Sequence, residues 1–259
     1  MIQKSMTTPL AACCLLLAAS AHALCLQFDA SSPATLTTNG NAVTAWVSIK
    51  GGVTLMPIHG ASNGWSAAIL QPAPGKSSVS FRSQDGISVP SPLAFHGTEA
   101  TQKVAYVFAI VRSQTPRHRM TLLDAPVDVR LETGNQFQEE QLGNTATYAI
   151  NGHGTPTFLP SDRWQTVEVT FQTPVAINAL YLGGSVPNPA WKRNFNGEIS
   201  ELVLLPAQPA PEQRNALLHY ARAKWGARTD CDPLFTSGTT LRTMGMDTGD
   251  TFTALLRIR

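Results

Sequence analysis

Short runs in which apolar and polar residues alternate constrain the fold of this chain more than any other feature of its sequence. In "WQTVEVTF", residues 164–171, Val167, Val169 and Phe171 fall on one face of an extended strand, and the polar residues between them fall on the other. Similar runs and the turn-forming pairs between them are "AVTAWVSI" (42–49), "SSVSF" (77–81), "KVAYVFAIV" (103–111), "INALYLGG" (177–184), Asn39-Gly40, Asp85-Gly86 and Gly183-Gly184. Many short strands separated by turns predict an all-β sandwich of two antiparallel sheets.

One segment departs from this period of two. Between Pro211 and Trp225, the residues Leu217, Ala221 and Trp225 recur every four positions, which places them on one stripe of a helix. Pro211 suits the first helical position, and Gly226 suits a left-handed residue that ends the helix. The sequence therefore predicts one C-terminal helix over 211–225 that lies across a sheet.

The first 23 residues are typical of an export signal peptide. Lys4 supplies a positive charge, an apolar run extends from Leu10 to Ala21, and Ala21-His22-Ala23 forms a small-x-small cleavage triplet. We expect cleavage after Ala23 and a secreted or periplasmic mature protein. The run of 12 residues is shorter than the roughly 20 needed to cross a bilayer, so we expect no membrane span.

Loss of the signal peptide removes Cys13 and Cys14 and leaves Cys25 and Cys231. Two cysteines in an exported protein favour a disulfide, because the surroundings oxidise thiols. The alternative is a pair of buried thiols.

The charge balance argues against two classes of partner. The chain has 19 basic and 17 acidic residues, and its basic run is the short Arg117-His118-Arg119. Proteins that bind nucleic acid or anionic membranes concentrate more positive charge than this. We therefore expect neither partner.

Residues 194–226, "NFNGEISELVLLPAQPAPEQRNALLHYARAKWG", carry a longer pattern of Phe, Asn-Gly, a strand with an acidic residue, a loop and a helix ending in Lys-Trp-Gly. It resembles the closing signature of bacterial LamG-like jelly-roll domains of the concanavalin A-like lectin/glucanase superfamily. The matching residues are Phe195, Asn196, Gly197, Ile199, Glu201 and Lys224-Trp225-Gly226. The resemblance extends loosely back to residue 26 and implies a jelly roll. It leaves residues 227–259 as a C-terminal extension of a single domain over 24–259. Ala210 departs from the family pattern, which usually has a serine or threonine cap there.

The acidic residues of this segment do not match those of the superfamily's glucanases. The catalytic strand of those enzymes carries Glu-x-Asp-x-Glu, and a retaining pair needs carboxyls roughly 5 to 5.5 Å apart. Glu198 and Glu201 are three residues apart, so on a regular strand they face opposite sides. Glu201 would then share a face with Ile199 and Val203, as part of the scaffold, held by a basic group or a backbone amide.

No other set of residues predicts catalysis. On one strand, Asp124 and Asp128 would lie about 13 Å apart, too far to act on a single bond. Polysaccharide lyases of the same fold use arginine, glutamine, histidine and tyrosine on successive concave-face strands, and no segment shows such spacing. We therefore assign no catalytic residue, and a glycoside hydrolase or lyase is kept as the alternative.

The resemblance also implies Ca²⁺ as a candidate cofactor, since lectin-like sandwiches often bind it through carboxylates and backbone oxygens of loops. The candidate donors are Asp29, Asp85 and Asp162. They do not have the spacing of a calcium-loop motif, so the sequence assigns no metal site.

Two tryptophans lie in polar stretches where exposure is expected, Trp65 in "ASNGWS" and Trp191 in "NPAWKRNFN". An exposed aromatic ring stacks on a sugar face while polar groups read the hydroxyls. The candidate ligand-binding residues are Asn63, Trp65, Trp191, Lys192, Arg193 and Asn194. The alternative is that both rings cover the ends of the sandwich, whereas Trp46, Trp164 and Trp225 fit the core.

These features together favour an exported lectin-like protein that binds a carbohydrate or a cell-surface ligand without cutting it. A further alternative is a structural or adhesin-type protein. Its protein partner would add to the strand predicted over residues 252–258.

The cysteine prediction has a direct test. Mass spectrometry of the exported protein, digested without reduction, should show the Cys25 and Cys231 peptides joined. Alkylation of both thiols in the unreduced protein would contradict the disulfide.

Overall fold

The computed structural model describes residues 25–57, 69–73, 76–81, 95–97, 102–114, 116, 120–124, 128–132, 135–139, 146–177, 180–184 and 195–229. Within these ranges the chain forms fifteen strands, a short 3-10 turn at Pro33–Thr35, and one α-helix, α1, at Pro211–Trp225. The strands are β1 (Leu26–Asp29), β2 (Leu36–Asn39), β3 (Ala42–Val47), β4 (Thr54–Pro57), β5 (Ile69–Ala73), β6 (Lys76–Ser80), β7 (Phe95–Gly97), β8 (Gln102–Ser113), β9 (Met120–Asp124), β10 (Asp128–Glu132), β11 (Gln136–Glu139), β12 (Thr147–Ile150), β13 (Ser161–Ile177), β14 (Leu180–Leu182) and β15 (Glu198–Leu205).

The strands form two antiparallel sheets that share β4. Sheet A has the spatial order β4-β3-β5-β6-β15-β8-β13-β12, with β1 also beside β15 and β2 beside β3. Sheet B has the order β4-β7-β14-β9-β10-β11. The predicted all-β sandwich is confirmed. The jelly-roll topology that the resemblance implies stays a prediction.

Apolar side chains from both sheets fill the space between them. Val107 and Leu202 of sheet A belong to the same buried cluster as Leu131 of sheet B. Phe28 and Trp46 meet edge to face in this cluster, with ring centroids 6.0 Å apart. Removal of these side chains from water is the main source of stability for such a sandwich. The core position predicted for Trp46 is confirmed.

Helix α1 lies on the other face of sheet A. Its predicted stripe of Leu217, Ala221 and Trp225 is buried in a second cluster that includes Phe108 of β8 and Val203 of β15. The predicted helix and its apolar stripe are confirmed.

The two ends of α1 are closed in different ways. Ala210 has no side-chain acceptor at the N-cap, but its own N–H donates to Gln213 Oε1 at 2.8 Å. Gly226 has a φ of 65°, in the left-handed region, and its N–H donates to the Arg222 carbonyl at 3.0 Å. The predicted left-handed stop is confirmed, and Gln213 satisfies the N–H of Ala210 without capping the first N–H groups of the helix.

Strand β13 follows its predicted pattern with one difference. Val167, Val169 and Phe171 face the core as expected. The polar face was expected to be solvated, but Thr166 is 0 % exposed and Glu168 is 2 % exposed. Both lie on the face of sheet A that α1 covers. The alternation along β13 therefore separates two buried faces, instead of one buried face and one exposed face.

The start of the C-terminal extension packs on the sandwich. Ala227 and Thr229 are buried, and Arg228 forms a parallel bridge with Gln165 of β13. Cys25 is buried, and burial, followed by the charge of Glu201, raises the pKa of its thiol to about 12. Its predicted partner at position 231 lies outside the described residues, so the disulfide stays a prediction.

Among the described residues, the structure contains no helix of the length and apolarity that a bilayer crossing requires.

Trp164, predicted in the core, is only half-buried, and its ring lies 5.2 Å from that of Trp225.

Candidate functional site

The candidate ligand-binding residues lie outside the part of the chain that the structure describes. They are Asn63, Trp65, Trp191, Lys192, Arg193 and Asn194. Their assignment stays a prediction, and the described residues have to be searched for a site in their own right. The outer faces of sheets A and B differ sharply in how far their polar side chains are buried.

A fully buried carboxylate lies between sheet A and α1. Glu201 of β15 is 0 % exposed and accepts hydrogen bonds from Gln27 Nε2 at 2.7 Å and Trp225 Nε1 at 3.1 Å. The Tyr220 hydroxyl lies 2.8 and 2.9 Å from its two oxygens, and Lys224 Nζ lies 3.2 Å from Oε2. The predicted scaffold role, with a basic group holding the carboxylate, agrees with this geometry.

Burial controls the protonation of this cluster. Burial and the neighbouring Asp29 raise the pKa of Glu201, and Lys224, Tyr220 and Gln27 only partly offset them. Burial lowers the pKa of Lys224, but the charges of Glu201 and Asp29 outweigh it and raise that pKa overall. One ammonium thus serves two carboxylates, because Lys224 also binds Asp29.

The prediction that Glu198 and Glu201 face opposite sides is wrong. The register of β15 against β8 shifts between Ile199 and Glu201, and this bulge adds one residue to the strand. Ile199 therefore faces the core, whereas Glu201 shares the α1 side with Val203. Glu198 pairs in register with Arg112, one of the outward-facing residues of β8. Both glutamates lie on the same face, but in separate networks.

Two more ion pairs close this face. Glu198 accepts from Arg112 Nη2 and from the Ser78 hydroxyl, both at 2.7 Å. Glu168 accepts from Arg214 of α1 at 2.5 and 2.8 Å, and the Tyr106 hydroxyl donates to it at 2.5 Å. Burial, followed by the charge of Glu168, raises the pKa of Tyr106 well above its usual range. The buried glutamates of sheet A, Glu168, Glu198 and Glu201, are thus paired, which makes them structural.

The outer face of sheet B carries a different set of side chains. Strands β9, β10, β11 and β14 each have one face in the core and one on the outside. The core residues are Leu123, Val129, Leu131, Phe137 and Leu182. The opposite residues form what we call the polar face of sheet B: Thr121, Asp124, Asp128, Arg130, Glu132, Gln136, Gln138 and Tyr181. Of these, Gln136 and Gln138 are exposed, and Asp124, Glu132 and Tyr181 are half-buried.

Cross-strand register places members of this face side by side. Tyr181 is the partner of Asp124, and Asp124 is the partner of Asp128. The separation of about 13 Å expected for the two aspartates is therefore wrong, because they belong to two strands of a hairpin. Directly opposed residues have Cβ atoms about 4.5 to 5.5 Å apart. His96 of β7 is in turn the register partner of Tyr181.

A buried ion cluster fixes one end of the polar face. Arg130 is 6 % exposed, and its Nη1 donates to Asp128 Oδ2 at 2.8 Å while its Nε donates to Glu132. Asp128 is 1 % exposed and also accepts from the Thr121 hydroxyl at 3.0 Å. Buried charges are tolerated when they are paired and hydrogen-bonded in this way. The cluster links β9 to β10 and is itself buried.

Sequence reasoning missed this face because its members come from four strands. The polar positions of "DVRLE" (128–132) and "QFQE" (136–139) do alternate with apolar ones, which is the available signal. That signal gives the strands and their faces, but it does not give the pairing that brings Arg130 opposite Gln138.

The candidate calcium donors are not brought together. Asp29 accepts from the Ser31 backbone N–H at 2.9 Å and binds Lys224, and Asp162 is exposed at the start of β13. Asp85 lies outside the described residues. Where the structure describes the chain, no group of three or more His, Cys, Asp or Glu residues is placed to hold a metal ion.

No protein-family model, curated protein or solved structure matches the chain. The resemblance to LamG-like domains therefore stays a prediction. The argument for function depends on the contrast between the two outer faces.

Replacement of Glu201 by glutamine tests the buried carboxylate through pH. Folding raises the pKa of Glu201 above its ordinary 4.5, so the folded protein binds this proton more tightly than the unfolded chain. The contribution of the group is present below pH 4.5 and is lost as the pH rises through the folded pKa. The unfolding free energy of the wild type should therefore fall relative to Glu201→Gln as the pH rises above about 4.5.

The matched control is Glu212→Gln, since Glu212 is exposed in the first turn of α1. Its effect should stay within about 0.5 kcal/mol at each pH. Urea unfolding at several pH values measures both differences. A wild type that gains stability over Glu201→Gln as the pH rises would contradict the raised pKa.

Proposed function

We propose that this chain is an exported, non-catalytic binding protein that holds a carbohydrate, free or on a cell surface, against the polar face of sheet B. The observation that supports it most is the contrast between the faces. Helix α1 covers the outer face of sheet A, where the buried glutamates are ion-paired, whereas the polar face of sheet B includes exposed amides and half-buried polar groups beside its buried ion cluster. The export signal predicted for the first residues is consistent with an extracytoplasmic ligand of this kind.

The chemistry of the polar face suits a sugar. Gln136 and Gln138 offer amide donors and acceptors, and Asp124 adds a half-buried carboxylate beside them. Tyr181 adds a ring with a polar end, a side chain that combines an apolar surface for sugar carbons with a hydroxyl for hydrogen bonding. Trp65 and Trp191, predicted to be exposed, would supply the stacking rings.

The geometry supports binding more than cutting. A lyase or hydrolase of this fold needs a carboxylate or a cation that is available to the reacting sugar. Asp128 is almost fully buried and already bonded to Arg130, and Arg130 is shared between Asp128 and Glu132. Each group is held in place by its partners, so neither is available to move protons or to neutralise an acidic sugar.

Cleavage is the second candidate function, because one observation favours it. Asp124 and Asp128 are directly opposed, and two carboxyls roughly 5 to 5.5 Å apart are the requirement for a retaining glycosidase. Arg130, Gln138 and Tyr181 also lie on the same face, with His96 next in register to Tyr181. The residue types that the lyases of this fold use therefore occur together on this sheet.

The proposal is tested by glycan-array binding of the purified protein, followed by affinity measurement with the best glycan, in calcium and again in chelator. Gln138→Ala should lower the affinity about fivefold, the effect of losing one or two neutral hydrogen bonds. Trp65→Ala or Trp191→Ala should abolish binding, with the melting temperature nearly unchanged.

Gln71→Ala is the matched control, because Gln71 is an exposed amide on β5 of sheet A. It should leave the affinity unchanged. Equal losses in Gln71→Ala and Gln138→Ala would place the ligand elsewhere. The same glycans are analysed for new reducing ends or unsaturated products. Products that disappear in Asp124→Asn would replace the binding proposal by the cleavage one, and silence on the array would favour a protein partner.

A further inference from the structure

Four asparagines of this chain are followed directly by glycine, at positions 39, 63, 151 and 196. In such a pair the main-chain nitrogen of the glycine is little hindered, because glycine has no Cβ, and it can attack the side-chain amide of the asparagine. Asn63-Gly64 lies outside the described residues, and the other three pairs lie within them. The surroundings of these three pairs differ in how far they restrain the attack.

Asn39-Gly40 lies at the tip of the β2–β3 hairpin. Asn39 pairs in register with Ala42, so Gly40 and Asn41 form a two-residue turn. Gly40 has a φ of 59°, in the left-handed region that the first position of such a turn requires. Asn39, Gly40 and Asn41 are all exposed. A Cβ placed on Gly40 would meet no atom within 4 Å, so the space around the reacting groups is open.

Little holds Asn39 in the extended conformation of the strand. No described residue forms a hydrogen bond with its side chain. Among the described strands β2 pairs with β3 alone, and its register shifts between Thr37 and Thr38, which leaves a short paired end beyond the bulge. Exposed ends of this kind open at little cost in free energy. Opening allows the Asn39 side chain to rotate onto the Gly40 nitrogen.

The other two described pairs are restrained. Asn151 Oδ1 accepts from the Thr166 N–H at 3.0 Å and its Nδ2 donates to Gln165 Oε1 at 3.3 Å, so both ends of the side-chain amide are bonded. Asn196 is 5 % exposed, and a Cβ on Gly197 would lie 2.4 Å from a main-chain oxygen of β8, so this segment is tightly packed. At either pair the native contacts have to open before the glycine nitrogen can attack.

We propose that Asn39 is a site of spontaneous deamidation, which turns the neutral tip of the β2–β3 hairpin into an acidic one. The Gly40 nitrogen loses its proton and bonds to Asn39 Cγ, while the bond from Cγ to Nδ2 breaks and Nδ2 leaves as ammonia with that proton. Water then opens the succinimide ring. Opening at Cγ leaves aspartate, and opening at the main-chain carbonyl carbon leaves isoaspartate.

The net reaction consumes one water and releases one ammonia, with no oxidation or reduction. Isoaspartate also routes the main chain through the side-chain carbons, which lengthens it at the residue that closes the turn. The β2–β3 hairpin belongs to sheet A, so this modification stands or falls independently of glycan binding on the polar face of sheet B.

The test compares the purified protein folded and unfolded in urea, incubated at mildly alkaline pH, with peptides that contain each pair followed over time by mass spectrometry. In urea the pairs should convert at similar rates. In the folded protein, Asn39 should convert at least about tenfold faster than Asn151, which must first break two side-chain hydrogen bonds. Asn196 should convert slowest, because its attack requires the sandwich to open.

Asn39→Gln should stop the conversion at this position, because glutamine has to close a larger ring, which forms more slowly. Asn41→Gln is the matched control, since Asn41 is also exposed in the turn and is followed by alanine, and it should leave the rate at Asn39 unchanged. Melting temperatures confirm that both variants fold. Equal protection of Asn39 and Asn196 in the folded protein, or conversion of Asn151 as fast as that of Asn39, would overturn the proposal.

Discussion

The buried carboxylate of Glu201 is the contact on which the placement of α1 depends. A lone carboxylate in an apolar interior is strongly unfavourable, so this one persists because Gln27, Tyr220, Lys224 and Trp225 surround it with donors. Three of those residues belong to α1, and the fourth lies on β1. The network therefore fixes the helix in one position on sheet A, which apolar packing alone would specify less strictly.

The position of the helix determines which surface of the sandwich is available. Sheet A has its buried glutamates paired with Arg112, Arg214 and Lys224, and α1 covers the residues between them. Sheet B has no helix on it among the described residues, and its outer face carries amides, carboxylates and a tyrosine. The face proposed to bind a ligand and the face that α1 covers thus belong to different sheets of the same fold.

The parts of the structure that follow from local pattern could be predicted, and the parts that follow from pairing could not. Period and end residues identified α1 at Pro211–Trp225 and the core face of β13. The bulge between Ile199 and Glu201 has no sequence signal of its own, so the faces of the two glutamates were assigned wrongly. Asp124 and Asp128 were placed on one strand because the hairpin between them was not recognised.

Native-state hydrogen exchange measured for each amide tests most directly whether α1 is an integral layer of the fold. If the Glu201 network anchors α1, amides of the helix interior should exchange only through global unfolding, with the same free energy as amides of β8 and β15. Helix amides that exchange several kcal/mol more easily than those strands would contradict the account, since α1 would then detach while the sandwich stays folded.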